Sequence, residues 1–348
     1  MPATADLATD DRRAVVGRRA FLITREPAFR RFWYPIARSD GIAPGGVAAR
    51  RLLGVDLAVW RSVDGSVAAA VDRCPHRDAR LSVGWVDGCH LVCPYHGWEY
   101  GADGRCARIP QFDDGALLPP LARLASVRSD ERYGWVWACL DDDPVLPLPE
   151  IPEAGSSGWR TIHEPESEWS CPAPMLVENN LDPAHIAFVH RGSFGTPAEP
   201  KVPVADVART ATGLRSRYEI PVQGRPGEMV PTVRSTTSDL YGPLLMLIRI
   251  LYPDGVEHLM VKACTPVDDT ATRQLQQVIR NDGEAARPGA DIVAFDAEVW
   301  REDKAVLETA HHDWCLDLTA NVHIRHDRPS IELRRFVGDV AAGVAFAR

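Results

Sequence analysis

The amino-acid sequence predicts an α+β protein in two parts: an all-β N-terminal domain, then a domain in which a long helix packs against an antiparallel sheet. Between Trp33 and about Leu140, short β-type segments are broken by Gly, Pro and Asp. The run 141–158 is rich in Pro, Gly and acidic residues, which is typical of a domain boundary. Beyond it, strand patterns are followed by a long helical pattern over about 290–314.

The length of the chain supports the division into two domains. With 348 residues it exceeds what one hydrophobic core usually supports. We predict a flexible N-terminal tail over 1–26, because its Ala, Asp and Arg residues follow no clear period. The first domain is predicted over 27–145 and the second over 146–348.

Local patterns predict the elements of each domain. In the first, RLLGVDLAVWRSVDGSVAAAVDRC (51–74) alternates between apolar and polar residues, and Asp64-Gly65 predicts a hairpin turn. In the second, we expect a helical segment around 176–190, strands through 208–280, and the helix over 290–314. A last strand is predicted at SIELRRFV (330–337).

Composition limits the partners of the protein. The net charge of −9 argues against nucleic acid or an anionic membrane as the main partner. The longest apolar stretch, YGPLLMLIRILY (241–252), is too short to span a bilayer and contains Arg249. VGRRAFLIT (16–24) superficially resembles a twin-arginine export signal, but arginine-rich REPAFRRFWY follows instead of an apolar run. We therefore expect a cytoplasmic protein.

One short stretch has the spacing of a metal site. CPHRDARLSVGWVDGCHLVCPYHGW (74–98) contains a Cys-x-His and a Cys-x-x-His, whose members are Cys74, His76, Cys93 and His96. They could be small core cysteines with structural histidines, a Cys2His2 zinc site, or the ligands of a [2Fe–2S] cluster. In such a cluster two thiolates hold one iron and two imidazoles hold the other.

The flanking residues favour the cluster. Both loops begin with Cys-Pro, and each offers one Cys and one His, as a bridged cluster requires. Gly97, Trp98 and Tyr100 follow directly, which suits a close-packed cover. The remaining cysteines have no ligand spacing and are predicted to be core or surface thiols; they are Cys89, Cys106, Cys139, Cys171, Cys264 and Cys315.

A second candidate site lies in VENNLDPAHIAFVH (177–190), where Asp182, His185 and His190 form D-x2-H-x4-H. On a helix, Asp182 and His185 share a face, whereas His185 and His190 are one and a half turns apart. We therefore expect a broken or bulged helix that lets both imidazoles reach one ion. Two histidines and a carboxylate form the facial triad of non-haem Fe(II) oxygenases.

The carboxylate of this triad is predicted from the helix near 300. The candidates are Glu302, Asp303, Glu308, Asp313 and Asp317. Asp303 shares a helix face with Val299, Val306 and Leu307, which points it toward the interior, where a carboxylate needs a metal or a partner. Glu302 falls beside that face and is predicted to be solvated. Asp303 is therefore the predicted ligand.

The 74–98 stretch resembles the Rieske motif, and the chain from about Trp33 to Arg335 resembles a Rieske non-haem iron oxygenase. The resemblance is to α-only terminal components such as the phthalate, vanillate, dicamba and ketosteroid oxygenases. Matching segments are FWYPIA, the two loops, VENNLDPAHIAFVH, TPVDD, REDKAVLE and DRPSIELRR. The resemblance implies a β-sandwich-like Rieske domain followed by a helix-grip catalytic domain. It also implies that His185, His190 and Asp303 bind the mononuclear iron.

The resemblance also implies an activity and partners. Such a protein activates O2 at Fe(II) and hydroxylates or demethylates a small aromatic or natural-product substrate. Electrons come from NAD(P)H through a separate reductase, directly or by way of a ferredoxin, since this chain has no nucleotide-binding glycine fingerprint. In the family the subunits form a head-to-tail homotrimer, in which Asp182 would bridge His96 of one subunit and His185 of the next.

Two other functions were weighed against this one. The first is an electron-transfer or sensor Rieske protein without oxygenase activity, and the second is a zinc-binding interaction module. The complete set of Asp182, His185, His190 and Asp303 favours the oxygenase. We expect the apolar strands around Leu244–Leu251 to line a hydrophobic substrate pocket.

Overall fold

Antiparallel sheets form the framework of the molecule. The computed structural model describes residues 19–222 and 230–346. The strands of its N-terminal half are β1 (Tyr34–Arg38), β2 (Val47–Leu52), β3 (Val55–Arg61), β4 (Val67–Val71), β5 (Trp85–Asp87), β6 (His90–Val92), β7 (Glu99–Tyr100), β8 (Cys106–Arg108), β9 (Ser126–Arg132) and β10 (Trp135–Cys139).

These strands form two sheets. One has the order β1-β10-β9-β4-β3-β2, and the other, smaller sheet has the order β5-β6-β7-β8. The hairpin predicted at Asp64-Gly65 is confirmed: it joins β3 to β4, with Trp60 opposite Ala68. Gly65 has φ +91°, a backbone conformation that favours glycine. The small sheet presents the two Cys/His loops, which follow β4 and β6.

The C-terminal half contains the third sheet and the helices. Its strands are β11 (Arg160–His163), β12 (Ser167–Trp169), β13 (Asp206–Arg209), β14 (Leu214–Val222), β15 (Thr232–Tyr241), β16 (Leu245–Leu251), β17 (Glu257–Pro266) and β18 (Thr272–Arg280). Its helices are α1 (Ala173–Leu181), α2 (Ile186–Val189), α3 (Gly289–Leu307) and α4 (Arg328–Ala341). The sheet order is β11-β18-β17-β16-β15-β14-β13, with β12 also pairing with β18.

Helix α3 packs on this sheet, so the long helix against an antiparallel sheet is confirmed. Ile292 of α3 is buried against Ile162 and Val278 of neighbouring strands. The helix is shorter than the predicted 290–314, because it ends at Leu307. There the amide and the hydroxyl of Thr309 both donate hydrogen bonds to the carbonyl of Val306, which lies in the last turn of the helix.

The predicted last strand over 330–337 is wrong, since these residues lie within helix α4. Ile331 and Leu333 alternate with polar residues over a short window, and this alternation is also typical of a strand. The longer pattern is helical: Leu333, Phe336 and Val337 are buried at a spacing of three and four residues, and the helix continues to Ala341.

The predicted N-terminal tail needs a second correction. Residues 1–18 lie outside the described part of the chain, but residues 19–26 are packed onto the fold. Ile23 is buried, the amide of Phe21 donates to the carbonyl of Trp314, and the Thr24 hydroxyl donates to Asp269. The chain is therefore fixed to the second half before the first strand begins.

The two halves share a hydrophobic core. One cluster of buried side chains joins Phe29 and Val136 of the first half to Met246, Cys264 and Phe336 of the second. The Thr265 hydroxyl donates to the carbonyl of Pro35 across the same interface, at 2.7 Å. The sheets thus fall on either side of the predicted boundary, but their cores are continuous.

Candidate metal centres

The two Cys/His loops bring their side chains together at one end of the small sheet. Cys74 and Cys93 are each 1% exposed, and burial raises the pKa of the Cys93 thiol. The rings of His76 and His96 lie 4.5 Å apart, and the ring of Trp98 stacks on His76 at 4.3 Å. The hydroxyl of Tyr100 lies 3.4 Å from Cys74 Sγ.

One nitrogen atom in each of the two imidazole rings is available to coordinate iron. Nδ1 of His76 and Nδ1 of His96 are both buried, and neither has a hydrogen-bond partner in the described part of the chain. A buried polar atom normally has a partner, so two such atoms in adjacent rings indicate a missing ligand. With two buried thiols on one side and two free imidazole nitrogens on the other, the residues fit a [2Fe–2S] cluster held by mixed ligands.

The second candidate site forms where helix α1 is interrupted. Pro183 disfavours the helical conformation in the preceding residue, and Asp182 is extended, with φ −88° and ψ 113°. The chain resumes in α2, so His185 precedes this short helix and His190 follows it. The broken helix predicted from the spacing is thus present, and it places the two rings 5.1 Å apart.

Helix α3 brings a carboxylate to these two rings. Nε2 of His185 and Nε2 of His190 are 3.2 Å apart, and Oδ1 of Asp303 lies 3.7 Å from the first and 3.4 Å from the second. Burial is the main cause that lowers the pKa of His190, to about 4, so its imidazole is neutral and able to coordinate. These three atoms fit one metal ion, and the two nitrogens and one carboxylate oxygen are the donor set of a facial triad.

Two of the other carboxylates considered from the sequence are engaged elsewhere. Glu308 accepts a hydrogen bond from the amide of Ser170, and Asp317 accepts from the amide and the hydroxyl of Thr319. Neither belongs to the group of side chains that could share an ion with the two histidines. Asp313 does not belong to it either.

Glu302 is the side chain that sequence reasoning placed wrongly. It was predicted to be solvated, but its side chain is 8% exposed and its Oε2 lies 3.0 Å from Nδ1 of His190. The Ser193 hydroxyl donates to the same oxygen at 2.7 Å. Because Glu302 accepts from Nδ1, the proton of the His190 ring stays on that atom and Nε2 is left free for a metal.

Two further side chains border the triad. The amide of Asn179 donates to Asp303 Oδ1 at 3.1 Å, which orients this carboxylate. Asp182 Oδ1 accepts from the amide of Ala184 at 2.7 Å, and its Oδ2 is 3.9 Å from Nδ1 of His185. The hydrogen bond predicted from His185 to Asp182 is therefore not formed here, and His185 Nδ1 is buried without a partner among residues 19–222 and 230–346.

A cavity opens from the triad between α3 and the sheet. Part of its lining is apolar, as predicted for the strands near 244–251: Ile248 and Ile250 contribute, together with Met260, Phe295, Val299 and Trp300. The prediction of a hydrophobic pocket is nevertheless incomplete. The rest of the lining is polar, and its side chains include Asn180, Arg234, Thr236, His258, Lys262, Gln276 and Asp296.

Comparison with known families shows which family the chain belongs to. The sequence profile of the Rieske [2Fe–2S] domain matches residues 32–127. The profile of the vanillate O-demethylase oxygenase C-terminal domain matches residues 169–343, about half of the chain. The chain belongs to the Rieske non-haem iron oxygenases.

Several relatives align with this oxygenase over most of their length. It is 28% identical over 321 residues to methylxanthine N1-demethylase NdmA of Pseudomonas putida, with 89% of each chain covered. The solved structure of NdmA with caffeine superposes with a TM-score of 0.80 at 26% identity, covering 93% of this chain and 95% of the other. Dicamba monooxygenase bound to dicamba superposes with a TM-score of 0.77 at 23% identity, over 92% and 99%, and supports the fold.

The family fixes the cofactors of this oxygenase. It contains a Rieske [2Fe–2S] cluster and a mononuclear iron, it uses O2, and its electrons are delivered by a reductase. The match to an oxygenase domain decides against the electron-carrier and zinc-module alternatives. No helix in residues 19–222 and 230–346 is long and apolar enough to cross a membrane.

Proposed function

We propose that this oxygenase hydroxylates or oxidatively demethylates a small cyclic substrate held in the cavity beside the triad. His185, His190 and Asp303 would hold the mononuclear iron, and Cys74, His76, Cys93 and His96 the cluster. The observation that supports this most directly is the meeting of two imidazole Nε2 atoms and one carboxylate oxygen at the end of a cavity.

The chain contributes orientation, shape and the exclusion of water. Ferrous iron, when bound, supplies the activation of O2. Glu302 and Asn179 hold His190 and Asp303 in place through hydrogen bonds of 3.0 Å and 3.1 Å. His185, His190 and Asp303 all line the cavity, so iron held by these residues would border the space that receives the substrate. Apolar side chains such as Phe295 and Trp300 keep bulk water from the reacting carbon.

Oxidative demethylation is the reaction that the relatives favour. NdmA and NdmB of Pseudomonas putida are named methylxanthine N1- and N3-demethylases, and each is matched over about nine-tenths of its length. The overall reaction would take a methyl group on oxygen or nitrogen, O2, two electrons and two protons. It would release the demethylated product, formaldehyde and water. The electrons derive from NAD(P)H through the reductase, directly or by way of a ferredoxin, which would place the enzyme in the cytoplasm.

We further propose that electrons reach the iron from a neighbouring subunit in a homotrimer. Asp182 supports this route: its side chain is 30% exposed and lies beside His185, whose Nδ1 has no partner among the described residues. In this arrangement Asp182 would accept from His185 on one side and from His96 of the partner subunit on the other. Docking of that subunit would bring Oδ2 the short distance needed to bond His185.

The test is turnover with a surrogate reductase. The purified oxygenase, NAD(P)H and a panel of O-methyl and N-methyl ring compounds would be scored for formaldehyde and demethylated or hydroxylated product. With labelled O2 we expect one labelled atom in the formaldehyde when a methyl group is removed, and one in the ring product when the ring is hydroxylated. The variant His185→Ala should retain the cluster and form no product. Failure of the wild type to oxidise any member of the panel, with both metal centres filled, would argue against the proposed activity.

A further inference from the structure

Two buried carboxyl groups meet in the wall of the cavity. Asp296 of α3 is 6% exposed, and Glu164, which lies between β11 and β12, is 2% exposed. The side-chain amide of Gln276 on β18 donates to Glu164 at 2.8 Å and to Asp296 at 3.3 Å. Asp296 and Gln276 line the cavity, and Glu164 lies behind them. A substrate would therefore meet Asp296 and Gln276 in this part of the wall.

The two carboxyl groups hold one proton and one negative charge. Burial, with the charge of Asp296, raises the pKa of Glu164 to about 10. Burial also raises the pKa of Asp296, but the hydrogen bond from Glu164 and the charge of Lys262 act against this rise. Glu164 therefore keeps the proton near neutral pH and donates it to Asp296, which is the anionic member of the pair. Oε2 of Glu164 is buried and receives no hydrogen bond from the described residues, as expected of the oxygen that carries the proton.

Lys262 balances the negative charge of Asp296. It lies opposite Gln276 in the pairing of β17 with β18, so the two side chains are neighbours on one face of the sheet. Its ammonium group also donates to the side-chain oxygen of Asn180 at 2.7 Å. A carboxylate placed against Asp296 would meet a like charge, and a cation would meet Lys262. This part of the wall is therefore suited to an uncharged group.

The same part of the wall has acceptors that lack a donor. Oε1 of Gln276 is buried and has no hydrogen-bond partner among residues 19–222 and 230–346. The amide nitrogen of Gln276 is held by the carboxyl pair, which fixes the orientation of the whole amide. The carboxylate of Asp296 can accept more hydrogen bonds than Glu164 and Gln276 supply. Because buried acceptors normally have a donor, the wall is complete only when a ligand brings one.

The position of Asp296 on α3 sets its distance from the triad. Asp296 and Asp303 are two helical turns apart, so they lie on the same face of α3 and are separated along its axis by about 10 Å. Both line the cavity. A ring held between them would direct one edge toward the triad and the opposite edge toward Asp296.

We propose that the substrate is an uncharged ring that donates a hydrogen bond from an N–H or O–H group to Asp296 and Gln276, on the side of the ring opposite the reacting methyl group. The ring would lie against Phe295 and Trp300, which line the cavity between these two ends. The inference rests on the proposed function, because it names the class of molecule that this oxygenase takes. One neutral donor satisfies the free acceptors and leaves the balance between Lys262 and Asp296 unchanged.

The experiment compares rings that carry a donor with the same rings in which the donor is methylated. Calorimetric titrations of the wild-type holoenzyme use 3- and 4-methoxyphenol with 1,3- and 1,4-dimethoxybenzene, theobromine with caffeine, and 4-methoxybenzoate as an anion. In at least one pair the compound with the donor should bind about tenfold or more tightly, because methylation leaves buried acceptors unpaired. The proposal is overturned if no compound with a donor binds, if every methylated partner binds as tightly, or if 4-methoxybenzoate binds more tightly than 4-methoxyphenol.

Three variants locate the effect. Gln276→Met removes the acceptor at a similar side-chain length and should remove most of the preference for a donor. Gln277→Met is the matched control, since Gln277 is equally buried on the same strand but points to the other face of the sheet, and it should behave as the wild type.

Asp296→Asn keeps an acceptor oxygen without the charge, so the preference should fall but not disappear. A full preference in both Gln276→Met and Asp296→Asn would contradict the assignment. Iron content and cluster absorbance report that each variant is folded, and Asp296→Asn alone decides if Gln276→Met does not fold.

Binding and turnover separate the two proposals. Compounds with a donor that bind but are never oxidised would contradict the proposed activity and leave the substrate class intact. Demethylation of the methylated partners, with no binding of the compounds that carry a donor, would have the opposite meaning.

Discussion

Removal of the Glu302 carboxylate should weaken the mononuclear iron without harming the cluster. This carboxylate accepts from His190 Nδ1 at 3.0 Å and from the Ser193 hydroxyl at 2.7 Å, with both side chains of the His–Glu pair almost fully buried. In Glu302→Ala the N–H of a ligating ring would lose its partner in a dry site. Such partners change metal affinity by about 10–100-fold, or about 1.4–2.7 kcal/mol. Glu302→Gln keeps an acceptor oxygen, so its loss should be about tenfold at most.

The assay is dialysis against increasing concentrations of EDTA, after which the iron content is measured relative to the absorbance of the cluster. Glu302→Ala should release its mononuclear iron at an EDTA concentration about 10–100-fold lower than the wild type requires. Glu298→Ala is the matched control, since Glu298 lies on the same helix, is 43% exposed and pairs with Arg301. It should behave as the wild type. If Glu302→Ala holds its iron as tightly as Glu298→Ala, Glu302 does not support the metal site.

Three other perturbations test separate parts of the account. His96→Cys should retain or rebuild a [2Fe–2S] centre with a lower reduction potential, because a neutral ligand becomes an anion. A redox titration measures the potential, and an unchanged or higher value would contradict this argument from charge. Asp182→Ala should keep both metal centres and a reducible cluster but slow the transfer of electrons to the iron, as followed by rapid mixing; fast transfer would exclude the bridge. Burial raises the pKa of Glu164 to about 10. At any pH between the pKa of Glu164 in the unfolded chain and this value, the side chain is protonated in the native state and ionised in the unfolded state. The free energy of unfolding of the wild type should therefore fall between pH 5 and pH 9, with a slope up to about 1.4 kcal/mol per pH unit steeper than that of Glu164→Gln. Urea midpoints that change in parallel for the two proteins would refute this.

The two Cys/His loops could be proposed as a metal site from the sequence because the residues of each loop are close together. Cys74 and His76 lie in one loop and Cys93 and His96 in another, so spacing and residue type were sufficient. Asp303 is distant from His185 in sequence, but it could be proposed as a ligand because a carboxylate on an interior helix face needs a partner, and the structure places it beside the two histidines.

Glu302 could not be found by the same argument. It is adjacent to Asp303 and falls at the edge of the apolar face, where the helical period does not separate buried from solvated residues. Its burial depends on Gly192, since a Cβ there would come within 2.6 Å of Glu302 Oε1. Only the folded loop after His190 shows this contact.

The polar side of the cavity left a signal that was not used. His258, Met260 and Lys262 alternate along β17, so they point to one face of the sheet. On the neighbouring strand β18, Gln274 and Gln276 follow the same alternation. Polar residues with strand periodicity between apolar neighbours indicate a binding surface rather than a core. Helix α4 was missed for a different reason, because an eight-residue window is too short to separate the two periods.

The most direct test of the account is the iron and sulfide content of the wild type beside His185→Ala. The wild type should contain about three irons and two sulfides per chain, one iron in the triad and two in the cluster. His185→Ala should contain about two of each, with the visible spectrum of the cluster unchanged. A third iron retained in His185→Ala would contradict the assignment of the triad.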